Sequence, residues 1–393
     1  MMNIIYASCT CSKKKFNELF KDLKYIPGQQ VQKYHRLIME GLTMNGDRVK
    51  TMTALPITQK NCVNKYIKQN VERDNNIEFT YLRILNFPIL KNILIFIDSF
   101  FTTLKYLRKD KQAVLICDIL NISVSTGALL ASKLLRRKNI GIVTDLPCFL
   151  TNTKSFIAKF NMFVLQYFGS YVFLTDQMNA LVNKRNVPYV IIEGQVDIKM
   201  ENTKNNIENK YLSRVCMYAG ALKKIYGIEY LTEAFIKANI PDSELHIYGS
   251  GDFENQLVEI CKIHNNIKYF GVVPNDIVVQ EELKATILIN PRPINEEYTK
   301  YSFPSKNMEY MVSGTPVLTT KLPGMPEEYC EYVYLFEEES VDAMCEKLRH
   351  VLSIPRKELH NKGLDSKRFV LNEKNNIVQA KKIVYMINET RRV

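Results

Sequence analysis

The chain has 393 residues, of which 46% are hydrophobic and 24% are charged. This length suggests two or three domains, and this composition can form hydrophobic cores, which excludes a largely disordered protein. The net charge of +12 is uneven: residues 1–200 hold 28 basic and 14 acidic residues, whereas residues 201–393 hold 25 and 27. A basic half beside a nearly neutral half suggests that one domain meets an anionic surface. Because RNA-recognition fingerprints, zinc-finger spacings and basic-region heptads are missing, we expect no nucleic-acid partner and favour an anionic membrane surface.

The lack of recognisable targeting signals and the pattern of the cysteines favour a reducing compartment. No uncharged apolar run reaches the roughly 18 residues of a membrane-spanning helix, and the first residues do not follow the pattern of a signal peptide. The nine cysteines are scattered, and the spacing of Cys9 and Cys11 suits neither zinc pairs nor a redox motif. We therefore expect reduced cysteines and a cytoplasmic protein, attached peripherally to the inner face of the cell membrane.

In the amino-terminal half, short apolar β-rich runs alternate with helical patterns, as in doubly wound α/β domains. The pattern predicts strands near residues 3–7, 49–55, 77–84, 113–117, 140–144, 171–174 and 189–192. We place the first domain at residues 1–198.

Residues 88–108 predict a helix with an apolar stripe and basic residues near its ends. The stripe consists of Ile89, Leu90, Ile93, Leu94, Ile97, Phe100, Phe101 and Leu104, and the basic residues are Lys91, Lys105, Arg108 and Lys109. A second stripe comprises Phe156, Phe160, Phe163 and Tyr167. Each stripe suits either insertion at a bilayer interface or packing against the sheet. Together with the basic charge of this half, they favour membrane attachment.

The polar residues 199–212 interrupt the alternation and predict a linker, after which a second α/β domain follows at residues 213–370. Its predicted strands lie at 215–218, 245–248, 267–270, 286–290, 316–320 and 333–336. Two such domains would face each other across a cleft at the carboxyl ends of their strands. Residues 371–393 predict a final helix that could cross back to the first domain.

The most informative segment is YSFPSKNMEYMVSGTPVL, residues 301–318. Its proline suits the first turn of a helix, and Ser305 with the free amides of that turn makes an anion-binding helix start. Lys306 adds a positive charge there. Glu309 lies one turn later on the same face, where its carboxylate can accept hydrogen bonds from ribose hydroxyls. Gly314 then ends the helix before a buried strand. The segment predicts a nucleotide-sugar pocket.

This segment resembles the donor site of family 4 retaining glycosyltransferases, whose fold is called GT-B. Further motifs match in the family's order: YAGALKKIYGI (218–228), LHIYGSGD (245–252), YFGVV (269–273), ATILINPRP (285–293) and LPGMPEE (322–328). The resemblance therefore implies an α/β protein of two Rossmann-like doubly wound domains.

Three positions depart from the family pattern. Tyr301 stands where family members usually carry a first glutamate, and Ala221 and Tyr226 stand where they usually carry an arginine and a lysine. The neighbouring Lys223 and Lys224 could supply the missing charge, and we take Tyr301 and Lys224 as donor-binding candidates. The departures also leave open a catalytically inactive relative.

The resemblance implies further site residues in the first domain. The loop that carries Gly28 and Gln29 would approach the donor diphosphate, and the helix that carries His35 would face the acceptor. Asp145 follows a predicted strand at a position close to the reacting sugar, where it could act in catalysis by orienting the acceptor, or only cap the next helix. For His35, a place in an ordinary amphipathic helix is an open alternative.

The chemistry of the pocket follows from the charge that it must neutralise. When a glycosyl group leaves a nucleotide diphosphate, negative charge grows on the β-phosphate, and Lys306 with the amides around Ser305 could stabilise it. Arg292 could contact phosphate or hold the wall of the cleft, and Glu327 could contact the donor or lie in a surface turn. Because the chain has no Asp-x-Asp pair to hold a divalent metal, we expect no metal and no cofactor.

We therefore predict a glycosyltransferase that moves a sugar from a nucleotide-diphosphate donor to a saccharide or lipid-linked acceptor, in surface polysaccharide synthesis. The resemblance alone implies retention of anomeric configuration. Two alternatives stay open: a catalytically silent, membrane-associated nucleotide-sugar-binding protein of the same fold, and a sugar-nucleotide epimerase, which would form product without an acceptor.

Overall fold

A computed structural model describes residues 1–389 except 22, 24, 25 and 151–155. Its strands are β1 Asn3–Ser8, β2 Arg48–Thr53, β3 Tyr66–Ile67, β4 Asn70–Asp74, β5 Ile77–Tyr81, β6 Ile84–Leu85, β7 Val114–Asp118, β8 Asn139–Val143, β9 Ser170–Phe173, β10 Tyr189–Ile191, β11 Arg214–Ala219, β12 Ser243–Tyr248, β13 Ile267–Tyr269, β14 Ile287–Asn290, β15 Val317–Thr320 and β16 Tyr334–Phe336. Its helices are α1 Lys13–Phe20, α2 Gln29–Met44, α3 Pro88–Lys109, α4 Ile122–Leu134, α5 Pro147–Leu150, α6 Phe156–Leu165, α7 Asp176–Val182, α8 Ile228–Ala238, α9 Glu254–Ile263, α10 Asn275–Lys284, α11 Ser305–Ser313, α12 Val341–Ser353, α13 Arg356–Glu373 and α14 Asn376–Glu389.

The chain divides into two compact units. Unit 1 comprises residues 1–195 and 376–393, and unit 2 comprises residues 196–375. Residues 196–198, which we placed in the first domain, and the proposed linker 199–212 thus lie within unit 2. The final helix α14 belongs to unit 1, where the Asn45 side-chain amide donates a hydrogen bond to the Ile377 carbonyl (2.8 Å).

Unit 1 is built on an eight-stranded sheet in the order β10-β9-β8-β7-β1-β2-β5-β4. All neighbouring strands pair in parallel except β4, which runs antiparallel to β5 at one edge. Central strands such as β7 and β8 are buried along their whole length, as expected where helices cover both faces of a parallel sheet. A separate two-stranded ribbon joins β3 and β6.

Unit 2 contains a six-stranded parallel sheet in the order β13-β12-β11-β14-β15-β16. Alternate residues of β11 enter two different cores: Cys216 and Tyr218 pack with α8 and α12, whereas Met217 and Ala219 pack with α11. The sheet is therefore covered on both faces, and its doubly wound topology agrees with the sequence expectation.

Within the described part of the chain, no helix is long and apolar enough to cross a membrane.

Candidate functional site

The carboxyl ends of β11 and β14 mark the point in unit 2 where the strand order reverses. The chain passes from β11 outward to β12 and β13, then returns to β14 on the other side of β11. In open α/β sheets, ligands bind beside the strand ends at such a switch point. Here the two following loops touch at Gly227, which has φ +80°: a Cβ at this position would lie 2.0 Å from the Pro291 carbonyl oxygen. Glycine at 227 therefore permits the close approach of the two loops.

The candidate phosphate-binding helix α11 begins at this edge. Pro304 is its N-cap and Ser305 its first helical residue, so the proline stands one position earlier than we predicted. The start of the helix is anchored by the buried Asn307, whose side-chain oxygen accepts hydrogen bonds from the Asn290 amide (2.7 Å) and the Thr319 hydroxyl (3.3 Å). Asn307 thereby ties α11 to the ends of β14 and β15, a positioning role that our sequence analysis missed.

Lys306 and Glu309 face each other on α11. The distance from Lys306 Nζ to Glu309 Oε2 is 2.9 Å, and the two side chains are 23% and 25% exposed. Burial disfavours the charged lysine, but the carboxylates of Glu309 and of the buried Glu282 outweigh it and raise the pKa of Lys306. The lysine is therefore a fixed positive charge at neutral pH, within one turn of the free amides at the helix start.

Arg292 lies in the loop after β14 and stacks on an aromatic ring from the loop after β11. Its guanidinium carbon is 4.1 Å from the centre of the Tyr226 ring, and Lys223 Nζ lies 5.7 Å from the same centre. Arg292 also lies near a second tyrosine, Tyr298. Burial raises the pKa of Tyr298, and the positive charge of Arg292 opposes that rise. The position where the resembled family has a lysine is thus occupied by a tyrosine that holds Arg292 by a cation–π contact.

Lys224 contacts a different group of residues. Its ammonium pairs with Glu229 (3.1 Å), and it lies 5.9 Å from the centre of the Phe253 ring. Its backbone amide donates a hydrogen bond to Asp252 Oδ1 (2.9 Å). Of the cations in this loop, Lys223 and not Lys224 shares the Tyr226 ring with Arg292, so the structure does not join Lys224 to that cluster.

The remaining candidates of unit 2 differ in their surroundings. Tyr301 ends the 3₁₀ turn Glu297–Tyr301 and is partly exposed, four residues before the exposed Ser305. Glu327 lies at the surface, where an ion pair with Lys321 (2.5 Å) lowers the pKa of its carboxyl. A role for Glu327 in donor binding stays a prediction.

In unit 1, Gly28 is the N-cap of α2 and Gln29 its first residue, and both are exposed. Asp145 follows β8 and is partly exposed, beside the buried Thr144. His35 is fully buried. A role in acceptor binding and an ordinary position in an amphipathic helix both stay predictions for this residue.

His35 belongs to a buried polar cluster that we did not predict. The Tyr6 hydroxyl lies 2.7 Å from His35 Nδ1, and His35 Nε2 lies 3.3 Å from Asp118 Oδ1, close enough for an ion pair although poorly aligned for a hydrogen bond. Burial alone would raise the pKa of Asp118, but His35 and the backbone amides of Leu120 and Cys9 lower it. The cluster joins α2 to β1 and β7, and its parts are too far apart in sequence for spacing to reveal it.

Comparison with known proteins relates the second unit to a family and the whole chain to a fold. Residues 213–353 match the family model described as "Glycosyl transferases group 1". This segment contains the switch point, α11 and the Arg292–Tyr226 contact. No curated protein sequence matches the chain.

Solved structures with similar folds cover nearly the whole molecule. Sucrose-phosphate synthase from Thermosynechococcus elongatus superposes with a TM-score of 0.69 at 15% identity, covering 100% of both chains. The chain has the GT-B fold. HepE of Anabaena, solved with UDP and glucose, gives 0.65 at 12% identity and covers 99% of this chain and 100% of its own. The lipopolysaccharide outer core galactosyltransferase WaaB gives 0.61 at 13% identity with the same coverage. At these identities the neighbours show the fold alone, and any reaction has to be argued from the residues of the site.

Proposed function

We propose that this GT-B protein transfers a sugar from a nucleoside-diphosphate donor to a saccharide acceptor. The observation that carries the proposal is the Lys306–Glu309 pair at the start of α11, beside the switch point of a domain that matches the glycosyl transferases group 1 model. The helix start and the fixed lysine charge suit a diphosphate. The neighbouring carboxylate suits the hydroxyls of a ribose or a sugar.

Donor binding would rearrange the pair rather than add to it. A partly exposed ion pair contributes only about 0–1 kcal/mol, so a diphosphate with two or more charges competes well for Lys306. Once Lys306 turns to phosphate, the Glu309 carboxylate would accept hydrogen bonds from hydroxyl groups of the donor. As the sugar–oxygen bond breaks, Lys306, the amides of Ser305 and Lys306, and Arg292 would stabilise the charge that develops on the leaving phosphate.

The finer features of the reaction belong to the same proposal. Asp145 of unit 1 would orient the acceptor hydroxyl, and Gly28 and Gln29 at the exposed start of α2 would approach the diphosphate. Transfer would retain the anomeric configuration, as the resemblance implies. It would not need a metal, because the chain has no Asp-x-Asp pair to hold one. A role in surface polysaccharide synthesis, the setting that the name of the outer core galactosyltransferase WaaB suggests for that protein, belongs to the same proposal.

Two observations favour a second candidate, a nucleotide-sugar-binding protein without activity. In the ligand-free site, Lys306 is already close to two carboxylates, Glu309 and Glu282, and Tyr226 replaces an expected cation. A site with less positive charge could bind the nucleotide without stabilising its departure.

A donor panel distinguishes these candidates. Purified protein is incubated with nucleotide sugars in EDTA, with and without membrane extract as acceptor. Release of nucleoside diphosphate and conversion of the sugar nucleotide are measured, and nucleotide-sugar binding is followed by calorimetry. We expect release from one donor and a loss of about 10²–10³ in rate for Lys306→Ala. Lys262→Ala is the matched control, because Lys262 forms an i,i+3 pair with Glu259 (2.7 Å) on the exposed face of α9. Binding without release would support the silent binder, product without acceptor would support an epimerase, and no binding at all would contradict the donor site.

A further inference from the structure

Helix α3 in unit 1 carries large apolar residues on its solvent-facing side. Its solvent-facing residues Ile89, Leu90, Ile93, Ile97 and Phe101 are 75%, 53%, 50%, 40% and 61% exposed. Ile89, Ile93, Ile97 and Phe101 recur at i, i+4 spacing, and Leu90 lies three residues before Ile93. Together they form one continuous stripe, about 18 Å long at the rise of an α-helix. We call these five residues the α3 stripe.

The face of α3 that packs against the unit is, by contrast, partly polar. Asp98, Ser99 and Thr103 are buried there, and each has a defined partner. Asp98 binds the Arg83 guanidinium, the Ser99 hydroxyl donates to the Val124 carbonyl (2.6 Å), and the Thr103 hydroxyl lies 3.1 Å from Met52 Sδ. Ile95, Leu104 and Leu107 share this buried face, so α3 carries apolar residues on both sides. A surface helix normally exposes a polar side. The apolar outer side of α3 therefore suits an apolar environment.

The helix is held firmly in this orientation by α4. A Cβ at Gly127 of α4 would lie 2.5 Å from the Phe96 carbonyl oxygen, so the two helices cross in close contact. Helix α4 itself exposes Leu130 (46%) and Leu134 (63%). The α3 stripe cannot turn inward without breaking this packing.

Charge favours one kind of partner for the α3 stripe. The only carboxylate on α3 is Asp98, which is buried and paired, whereas the exposed Lys105, Arg108 and Lys109 follow the stripe at the end of the helix. Unit 1 as a whole holds 31 basic and 14 acidic residues, for +17, while unit 2 holds 22 and 27, for −5. An apolar strip followed by cations matches a bilayer with anionic headgroups, which accepts the side chains among its acyl chains and the cations at its surface.

We propose that the α3 stripe inserts into the interface of an anionic lipid bilayer, with Lys105, Arg108 and Lys109 at the headgroups. The helix lies along the membrane surface and does not span it. This inference is independent of the proposed transfer reaction, because it rests on α3 and on the charge of unit 1.

Vesicle flotation of the full chain tests the inference. We expect the protein to float with phosphatidylcholine vesicles that contain about 30% phosphatidylglycerol, and to bind pure phosphatidylcholine at least tenfold more weakly. The variant Ile93→Ser/Ile97→Ser/Phe101→Ser should lose at least tenfold in vesicle binding at any salt concentration. Lys105→Glu/Arg108→Glu should lose binding to the anionic vesicles only.

The matched control changes three exposed apolar residues of unit 2: Val258→Ser, Ile263→Ser and Val272→Ser, at 39%, 76% and 74% exposure. It should float as the unaltered protein does. Because all the changed side chains are exposed, each variant should keep its melting temperature, which shows that it is folded. Absence of flotation by the unaltered protein, or equal flotation by the stripe variant, would overturn the proposal. So would a dimer that the stripe changes convert to a monomer without any vesicle binding, since the stripe would then be an interface between copies of this chain.

Discussion

At the scale of single residues, the charge on Lys306 depends on its neighbours. Burial opposes the ammonium form, and the Glu309 and Glu282 carboxylates restore it and raise its pKa. The helix can therefore keep a lysine that is only 23% exposed in the charged form that a phosphate needs. The cost is that the lysine must exchange one anionic partner for another.

Glu309→Gln should make nucleotide binding sensitive to alkaline pH. With Glu309 neutral, burial is opposed by Glu282 alone, so we expect the pKa of Lys306 to fall and its proton to be lost at lower pH. Affinity for UDP should then decline at a lower pH than in the unaltered protein. Isothermal titration calorimetry as a function of pH measures the effect.

Glu259→Gln, which neutralises an exposed partner of Lys262, is the control and should leave the pH profile unchanged. If Glu309→Gln shows the same profile as the unaltered protein, then Lys306 does not carry the phosphate interaction.

Lys210 should make unit 2 less stable at acid than at alkaline pH. Its ammonium donates to the Ala285 carbonyl (2.9 Å) and the Thr315 hydroxyl (2.7 Å), and burial lowers its pKa to about 7. Between that value and about 10.4, the unfolded chain binds the proton and the folded chain does not, so stability rises as pH increases through this window. Lys210→Met removes the effect. The free energy of unfolding of Lys210→Met, relative to that of the unaltered protein, should be roughly 2–4 kcal/mol larger at pH 6 than at pH 10. Urea unfolding at the two pH values measures it.

The exposed Lys204→Met is the control, and its stability relative to the unaltered protein should not vary with pH. An equal pH dependence of Lys210→Met and the unaltered protein would contradict the burial argument.

At the scale of elements, Gly227 determines how closely the loops after β11 and β14 approach. Gly227→Ala places a methyl group 2.0 Å from the Pro291 carbonyl oxygen at a backbone φ of +80°, so the loops must separate. We expect a loss of about 2–4 kcal/mol in the free energy of unfolding and weaker UDP binding. Gly271→Ala, at φ +68° with no atom within 4 Å of the new methyl group, tests the backbone effect alone and should cost about 1 kcal/mol without a change in binding. Equal costs for the two variants would show that the loop contact is unimportant.

The elements also show what a sequence can predict. The buried parallel strands were predicted because each is a short apolar run, and Gly314 as the end of α11 is confirmed by its φ of +80°. Strand β4 was missed because its residues, NVERD, form a polar, exposed edge. The pairing of Lys306 with Glu309 follows from their spacing on one helix. The stacking of Arg292 on Tyr226 could not be predicted, because those residues meet only where β11 and β14 become neighbours in the sheet.

The orientation of α3 was also beyond sequence reasoning. Apolar periodicity finds a stripe, but it does not say which side of the helix meets the core. That choice depends on partners distant in sequence, such as Arg83 for Asp98 and Val124 for Ser99.

At the scale of the whole molecule, unit 1 is formed by two separate segments of the chain, residues 1–195 and 376–393. Helix α14 belongs to unit 1, and its Ile383 has no exposed surface, whereas Tyr385 is 57% exposed. Ile383→Ala should cost about 2–5 kcal/mol in the free energy of unfolding, and Tyr385→Ala less than about 1 kcal/mol. Calorimetry of both variants with and without UDP gives the test. The nucleotide should protect unit 2 in both, and comparable destabilisation by the two changes would contradict the assignment of α14 to the core of unit 1.

The most direct test of the donor site is a crystal structure of the protein with UDP. We expect the diphosphate at the start of α11, within hydrogen-bond distance of Lys306 Nζ and the amides of Ser305 and Lys306, with the Lys306–Glu309 pair opened and Glu309 turned to the ribose. A nucleotide bound elsewhere, or an unchanged Lys306–Glu309 pair beside it, would contradict the account.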